Sequence, residues 1–237
     1  MSARFAGRVA LVAGAGDGIC RAAAIAFARE GARVLVAGPD PEELAGTLKL
    51  IRDAGGEADS VVADMTQGGS AAAAGMVAAA VKRFGALDIA FNNATVTGPN
   101  SNVADIAEDV WADILAANLT GVFMAMKHEL AHMESRGRGV IVNTACNMAS
   151  SGRLVGMSAY AASKAALSAL TRTAAHEYIG KGIRINAISP GPAHEAGANH
   201  ADGATAAEVA ETVVWLCSDE AAFVIGHDMV LDKKTVV

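Results

Sequence analysis

The sequence has little of what marks several common classes of protein. Aromatic side chains make up 4% of its 237 residues, which leaves few platforms on which nucleobases could stack. It has 3 cysteines, Cys20, Cys146 and Cys217. A scattered, odd-numbered set makes neither a disulfide framework nor a zinc site, and points to a reducing cytoplasmic compartment. Positive charge is not in excess: 19 Lys and Arg stand against 25 Asp and Glu, a net charge of −6. Such a chain is not drawn nonspecifically to nucleic acid or to an anionic membrane. No apolar run approaches the ~20 residues of a bilayer span; the longest, Ala71–Val81, is mostly alanine. The N-terminus meets Gly7 and Arg8 before any long apolar run and does not read as a signal peptide.

What the chain has in abundance is alanine, 54 residues of 237. Apolar residues make up 52% and charged residues 19%, a balance that suits a packed globular domain rather than a disordered chain. The mean hydropathy of +0.32 reflects the alanine, which favours close-packed helices. The length allows one sizeable core and is short for two.

Short apolar runs at 9–13, 33–37, 61–63, 87–91, 140–145, 183–188 and 229–231 predict seven strands. The segments 21–29, 41–54, 70–84, 105–136, 158–179 and 206–217 predict helices, the fourth with breaks. The strand runs show no polar face. Strand–helix alternation of this kind predicts an α/β fold, a doubly wound parallel sheet covered by helices on both faces. No linker or internal repeat divides it, so a single domain is expected over 1–237.

Two local patterns carry chemistry. The first strand runs into Gly14, Ala15, Gly16, Asp17, Gly18 and Ile19, and a helix follows. Glycines there let the backbone approach a pyrophosphate, and the helix start supplies N–H groups and the positive end of a dipole. The second is Tyr160 with Lys164, four residues apart early in a predicted helix and therefore on one face. A cation beside a phenol favours its ionised form and suits it to proton transfer near neutral pH.

With these patterns in place the chain resembles the short-chain dehydrogenase/reductase family along nearly its whole length. The glycine loop, Asp64 and Met65 after the third strand, Asn92-Asn93-Ala94 after the fourth, Asn118, the Tyr160/Lys164 pair and Asn186 to Gly191 fall in the family's order and spacing. The resemblance implies a Rossmann-type sheet and an NAD(P)-dependent oxidoreductase that interconverts a hydroxyl and a carbonyl on a small alcohol or ketone. Tyr160 would then be the general acid/base, and Lys164 would hold the nicotinamide ribose and depress the phenol's pKa. Asn118 would bind a water that links Lys164 to solvent. The cofactor would lie along Gly14, Gly16, Asp17, Gly18, Ile19, Gly38, Asp64, Met65, Asn93, Ala94, Thr95, Tyr160, Lys164, Pro190 and Gly191. The resemblance also implies a homotetramer or homodimer built through the helices over 105–136 and 158–179, with Ala165, Ala166, Ala169 and Ala175 among the small contact residues.

The chain departs from the family pattern at several places. Cys20 stands for a third glycine and Thr95 for the glycine after Asn92-Asn93-Ala94. Cys146 takes the place of the serine that hydrogen-bonds the reacting carbonyl. A thiol donates more weakly than a hydroxyl. Cys146 has a second reading as a packing residue, with Asn147, Ser150 or Ser151 reaching the carbonyl. Glu195 stands where a threonine usually contacts the carboxamide, and a solvated loop charge reads it equally well. The substrate loop, 192–205, is short, and the last motif reads Asp232-Lys233-Lys234. These departures keep two other readings open: a dinucleotide-binding or scaffolding protein with impaired catalysis, and a non-redox dehydratase or isomerase.

Cofactor choice rests on the end of the second strand. Gly38 and Pro39 offer neither an acid for the ribose nor an arginine for a 2′-phosphate, and Asp17 would repel that phosphate. NAD(H) is therefore expected over NADP(H). Asp40 reads as an N-cap for the helix that starts at Pro41. No metal site is expected: His128 and His132 are four apart but lack a partner ligand and read as surface positions. Met124 and Met126 read as core or interface filling.

Overall fold

The computed structural model describes residues 3–14, 18–65, 68–146, 154–190 and 204–231. Seven strands are present among them: β1 (Val9–Ala13), β2 (Arg33–Gly38), β3 (Ala58–Val62), β4 (Ile89–Asn92), β5 (Gly139–Thr144), β6 (Ile183–Pro190) and β7 (Asp228–Leu231). All neighbouring pairs are parallel, in the order β3-β2-β1-β4-β5-β6-β7. The order reverses between β1 and β4. In sheets of this kind the crevice beyond the carboxyl ends of those two strands is where ligands bind.

Side chains alternate between the two faces of the sheet, and helices cover both. Ala10, Val12, Val34 and Val36 pack against α1 (Gly18–Arg29), α2 (Pro41–Asp53) and α7 (Ala206–Cys217). Val9, Leu11, Ala13 and Leu35 pack against α3 (Gly69–Phe84), α5 (Val122–Arg136) and α6 (Ser158–Tyr178). The buried positions of α5, Val122, Ala125, Met126, Glu129, Leu130 and Met133, recur at helical spacing and form one inward stripe. Each large apolar side chain so buried stabilises the fold by about 1.5–3 kcal/mol.

The expected architecture is present, and the differences sit at edges and turns. The third strand starts at Ala58 rather than Val61, with Asp59 and Ser60 half-buried inside it. It is an edge strand paired only with β2, so it needs no continuous apolar run. The fourth strand begins at Ile89, because Leu87 and Asp88 serve the sheet's lower edge. Leu87 N donates to His132 Nε2 at 3.2 Å, and Asp88 Oδ2 accepts from Val9 N at 3.0 Å. The first helix begins at Gly18, earlier than its apolar pattern.

The stretch over 105–136 breaks as expected. A 3₁₀ turn at Val103–Asp105 precedes α4 (Glu108–Leu115), and a π-helical segment, Ala116–Gly121, joins α4 to α5. Glu108–Arg136 is, among the described residues, long and apolar enough to cross a membrane. Its inward stripe packs on α3 and the sheet, as a core helix does. His128 and His132 are half-buried rather than on the surface. His128 Nε2 lies 2.8 Å from Ser70 Oγ, which ties α5 to α3.

Candidate active site

At the end of β1 the chain turns so tightly that only glycine fits. Gly14 has φ of +90°, and a Cβ there would lie 2.0 Å from Asn93 O. Gly14 N donates to Ala37 O at 2.8 Å and Asn93 N to Ala13 O at 3.0 Å, so three strand ends meet at this point. Gly16 and Asp17 lie outside the described residues. The helix α1 starts at Gly18, where a Cβ would meet nothing within 4 Å, and no acid stands in its first turn. Ile19 behind it packs on the core. Cys20, in the place of a third glycine, is fully buried. Its sulfur accepts from Asn93 Nδ2 at 3.2 Å, so the thiol fills the elbow and links it to the β4 loop.

Other expected cofactor residues border the same crevice. Gly38 ends β2 and is buried. Asp40 is the N-cap of α2, accepting from Glu42 N at 2.8 Å and Glu43 N at 3.2 Å, so its carboxylate is already engaged. Asp64 and Met65 follow β3. Met65 is buried, and a Cβ on Gly121 would fall 2.7 Å from its carbonyl oxygen, so the π-helical segment presses against this loop. Thr95 is exposed. Pro190 ends β6 opposite Leu231. Gly191, Glu195 and the rest of 192–203 lie outside the described residues, as do Asn147, Ser150, Ser151 and 232–237.

Asn118 holds the loop after β4. Its Oδ1 accepts from Val96 N at 2.7 Å, and its Nδ2 donates to Val96 O at 2.8 Å and Ser163 Oγ at 3.1 Å. Ser163 Oγ donates in turn to Tyr160 O at 2.7 Å. The amide is fully engaged in structure, so a water at this residue would have to meet its backbone carbonyl.

Lys164 is fully buried. Its Nζ donates to Ala94 O and to Thr144 O, each at 2.7 Å. Those carbonyls belong to the loop after β4 and the last residue of β5, so the ammonium joins the two strand ends. An ammonium carries three protons, which leaves one N–H for a ligand oxygen. Burial lowers the Lys164 pKa to about 8. The ammonium lies 5.9 Å from the centre of the Tyr160 ring.

The pKa of Tyr160 is raised above the ordinary value, first by burial and then by Cys146, whose side chain hydrogen-bonds it. Cys146, half-buried at the end of β5, thus stands beside Tyr160.

Ala94 O and Thr144 O were not visible as functional groups in the sequence, because they act through backbone. A cavity of about 110 Å³ lies at the N-terminal end of α6, lined by Thr97, Ser101, Asp105, Val110, Ile114 and Met157 among others. The residues present fit a dinucleotide. Gly18 faces open space at the start of α1, the first turn of α1 holds no acid, and Lys164 keeps a free donor.

A sequence model of the family described as short chain dehydrogenase matches residues 8–205. The chain is 36% identical to the cis-4-hydroxycyclohexanecarboxylate dehydrogenase of Sinomonas cyclohexanicum, covering 98% of each chain. It is 35% identical to the cyclohexanol dehydrogenase of Acinetobacter sp. (strain SE19), covering 98% of this chain and 96% of that one. Among solved structures, an NAD⁺-bound xylitol dehydrogenase superposes with a TM-score of 0.89 at 31% identity, over 96% of this chain and 98% of that one.

The geometry at Gly14 yields a direct expectation. Gly14→Ala should lower the folding free energy by about 1–3 kcal/mol, because it strains a positive φ and collides with a carbonyl. Urea unfolding measures this; an unchanged midpoint would contradict the close approach of Gly14 and Asn93.

Proposed function

Since the chain belongs to the short chain dehydrogenase family, we propose that Tyr160, Lys164 and Cys146 form the catalytic group of its active site. The protein is an NAD(P)-dependent oxidoreductase acting on hydroxyl and carbonyl groups of small organic substrates. The observation that carries the site is the buried Lys164 ammonium, gripped by two carbonyls one helical turn from Tyr160. The nicotinamide, when bound, supplies or accepts the hydride. The protein's own residues bind, orient and move a proton.

Tyr160 Oη gives a proton to the substrate oxygen as a carbonyl is reduced and takes it back as an alcohol is oxidised. The phenol is protonated at neutral pH, as an ordinary tyrosine is. The free N–H of Lys164 holds a ribose hydroxyl. Gly14, Gly16, Gly18 and Ile19 cradle the pyrophosphate at the start of α1. Asp64 and Met65 would hold the adenine, Asn93, Ala94 and Thr95 the adjoining ribose, and Pro190 with Gly191 the nicotinamide. The backbone carbonyl of Asn118 carries the water that connects Lys164 to solvent.

Cys146 Sγ stands in for a hydroxyl donor to the substrate oxygen. The cavity at the N-terminal end of α6 supports a compact substrate, and the cyclic alcohols of the two dehydrogenase relatives are the first to try. A cytoplasmic location is in keeping with the sparse cysteines.

NAD(H) is the preferred cofactor in this reading. Asp17, in the glycine loop, opposes a 2′-phosphate, and no basic residue stands at Gly38 or Pro39. Titration calorimetry should show NADH binding more tightly than NADPH. The opposite order by tenfold, about 1.4 kcal/mol, would reverse the assignment.

The protein assembles as a homodimer or homotetramer through α4, α5 and α6. Exposed Trp111 and Phe123 on α4 and α5 support this, as do the accessible Ala165, Ala166 and Ala169. Ala175 is fully buried in the core and drops out of the expected contact set. Sedimentation velocity should find dimers or larger at micromolar concentration, and monomers alone would refute the arrangement.

Two substitutions test the chemistry. Tyr160→Phe should abolish turnover on an accepted alcohol while leaving NADH binding within about twofold, since the phenol proton is lost and little else. Cys146→Ser should raise turnover by about tenfold at unchanged NADH affinity. Loss of a full oxyanion donor costs on the order of 10²–10³ in rate, and a thiol recovers only part of that. Turnover retained in Tyr160→Phe, or unchanged in Cys146→Ser, would remove the corresponding residue from the mechanism.

A further inference from the structure

Behind the site, on the face of the sheet covered by α5, lies a polar chain sealed from solvent. Asn92 Nδ2 donates to Glu129 Oε2 at 3.0 Å and to Asn143 Oδ1 at 3.1 Å. Asn143 Nδ2 continues to Thr171 Oγ1 at 2.9 Å and touches Met126 Sδ at 3.2 Å. All four polar residues, Asn92, Glu129, Asn143 and Thr171, are fully buried. Both amide protons of Asn92 are used, which fixes the orientation of its amide. Among the described residues two oxygens of this polar chain nevertheless lack a partner, Asn92 Oδ1 and Glu129 Oε1. Each is an acceptor when Glu129 is ionised, and a buried acceptor without a donor is destabilising.

One proton resolves both orphans. We propose that Glu129 is held as a neutral carboxylic acid whose Oε1–H donates to Asn92 Oδ1, closing a reciprocal acid–amide pair that positions Lys164. The pair fastens α5 to the end of β4. Through Asn143, the register partner of Asn92, it fastens the end of β5 as well. Ala94 and Thr144, whose carbonyls grip Lys164, lie two residues beyond Asn92 and one beyond Asn143. Glu129 is thus a positioning residue for the ammonium, touching neither cofactor nor substrate. The clamp stands on its own geometry, whatever Tyr160 does.

The surroundings hold no competing charge. Strands β4 and β5 and the π-helical segment carry no ionisable side chain. On α3, Lys82 and Arg83 are exposed, and Arg83 pairs with Asp59. On α5 itself Lys127 is exposed, while His128 and His132 bond Ser70 and Leu87 N. Beyond them, Lys181 takes Glu134, and Arg136 faces Asp88. On β6, Arg184 is taken by the carbonyls of Leu216, Ser218 and Ala221. On α6, Lys164 is held as described, and Arg172, His176 and Glu177 are exposed. What acts on Glu129 is burial, which raises its pKa to about 7, opposed by the Asn92 amide.

The sign of the linkage follows. A carboxyl with pKa near 7 in the folded protein and an ordinary value near 4.5 unfolded binds more proton when folded. Its contribution is fully present below about pH 4.5 and is lost as pH rises to about 7. Glu129→Gln supplies the same donor and acceptor permanently, without a titration.

Urea unfolding of both proteins between pH 5 and 8.5 tests the proposal. Relative to Glu129→Gln, the wild type's unfolding constant should rise by up to tenfold per pH unit as pH climbs to about 7, then run parallel. Reduced-cofactor fluorescence should show NADH affinity falling with pH over the same range in the wild type more than in the variant. Infrared spectra of the wild type below pH 6 should contain a protonated-carboxyl stretch that Glu129→Gln lacks. Glu129→Leu, which leaves Asn92 Oδ1 unpaired, should be less stable than Glu129→Gln at every pH. Parallel curves from pH 5 to 8.5, or absence of the carboxyl band, would overturn the proposal by showing an ionised or water-bridged Glu129. A Glu129→Gln protein too unstable to purify would overturn it too, because the amide reproduces the pair.

Discussion

The site depends on one buried cation. The ammonium of Lys164 has left water, and a buried charge is tolerated only where other groups replace its hydration. Two backbone carbonyls do so here, Ala94 O and Thr144 O. They come from the ends of β4 and β5, so the cation can be held only while those strand ends keep their register. Much of the surrounding sequence serves that register. Asn118 fixes the β4 loop at Val96, Ser163 joins Asn118 to the helix that carries Tyr160, and Asn92 joins Asn143 across the two strands. The chemistry at the carboxyl edge of the sheet and the packing beneath it are therefore one structure.

Sulfur occupies two of the places where the family pattern calls for something else, and the two differ in consequence. Cys20 replaces a hydrogen with a thiol inside the β1–α1 elbow. It is tolerated because the side chain turns into the core and takes a hydrogen bond from Asn93 Nδ2. The dinucleotide side of the elbow keeps its backbone, since Gly14 and Gly18 still supply the positive φ values the turn requires. In the proposed site Cys146 would take the place of a hydroxyl donor, where donor strength would enter the rate directly.

Most of the fold was legible because the helices and central strands obey simple periods. Strands β1, β4 and β5 are buried on both faces and read from their apolar stretches, with Asn92 and Asn143 at the ends of β4 and β5, and α7 begins and ends where its pattern does. The edge strand β3 was misplaced because Asp59 and Ser60 break such a run without breaking the strand. The π-helical segment left no mark at all, since Gly121 reports its need for space against Met65 only in three dimensions. In the site, side-chain actors such as Tyr160 and Lys164 could be named from spacing, whereas the carbonyls of Ala94 and Thr144 could not, as every residue has one. Glu129 was legible in principle. It falls on the same helical stripe as Ala125, Met126, Leu130 and Met133, and a carboxyl on an apolar stripe signals a buried, partnered group.

Burial and the hydrogen bond to Cys146 raise the pKa of Tyr160. The Cys146 thiol beside it is a second acid, and two neighbouring acids do not ionise together without repulsion. The protein's own groups therefore hold the proton on the phenol rather than drawing it off. An acid so held is ready to give a proton to an oxygen that gains negative charge, as the oxygen of a carbonyl under reduction does.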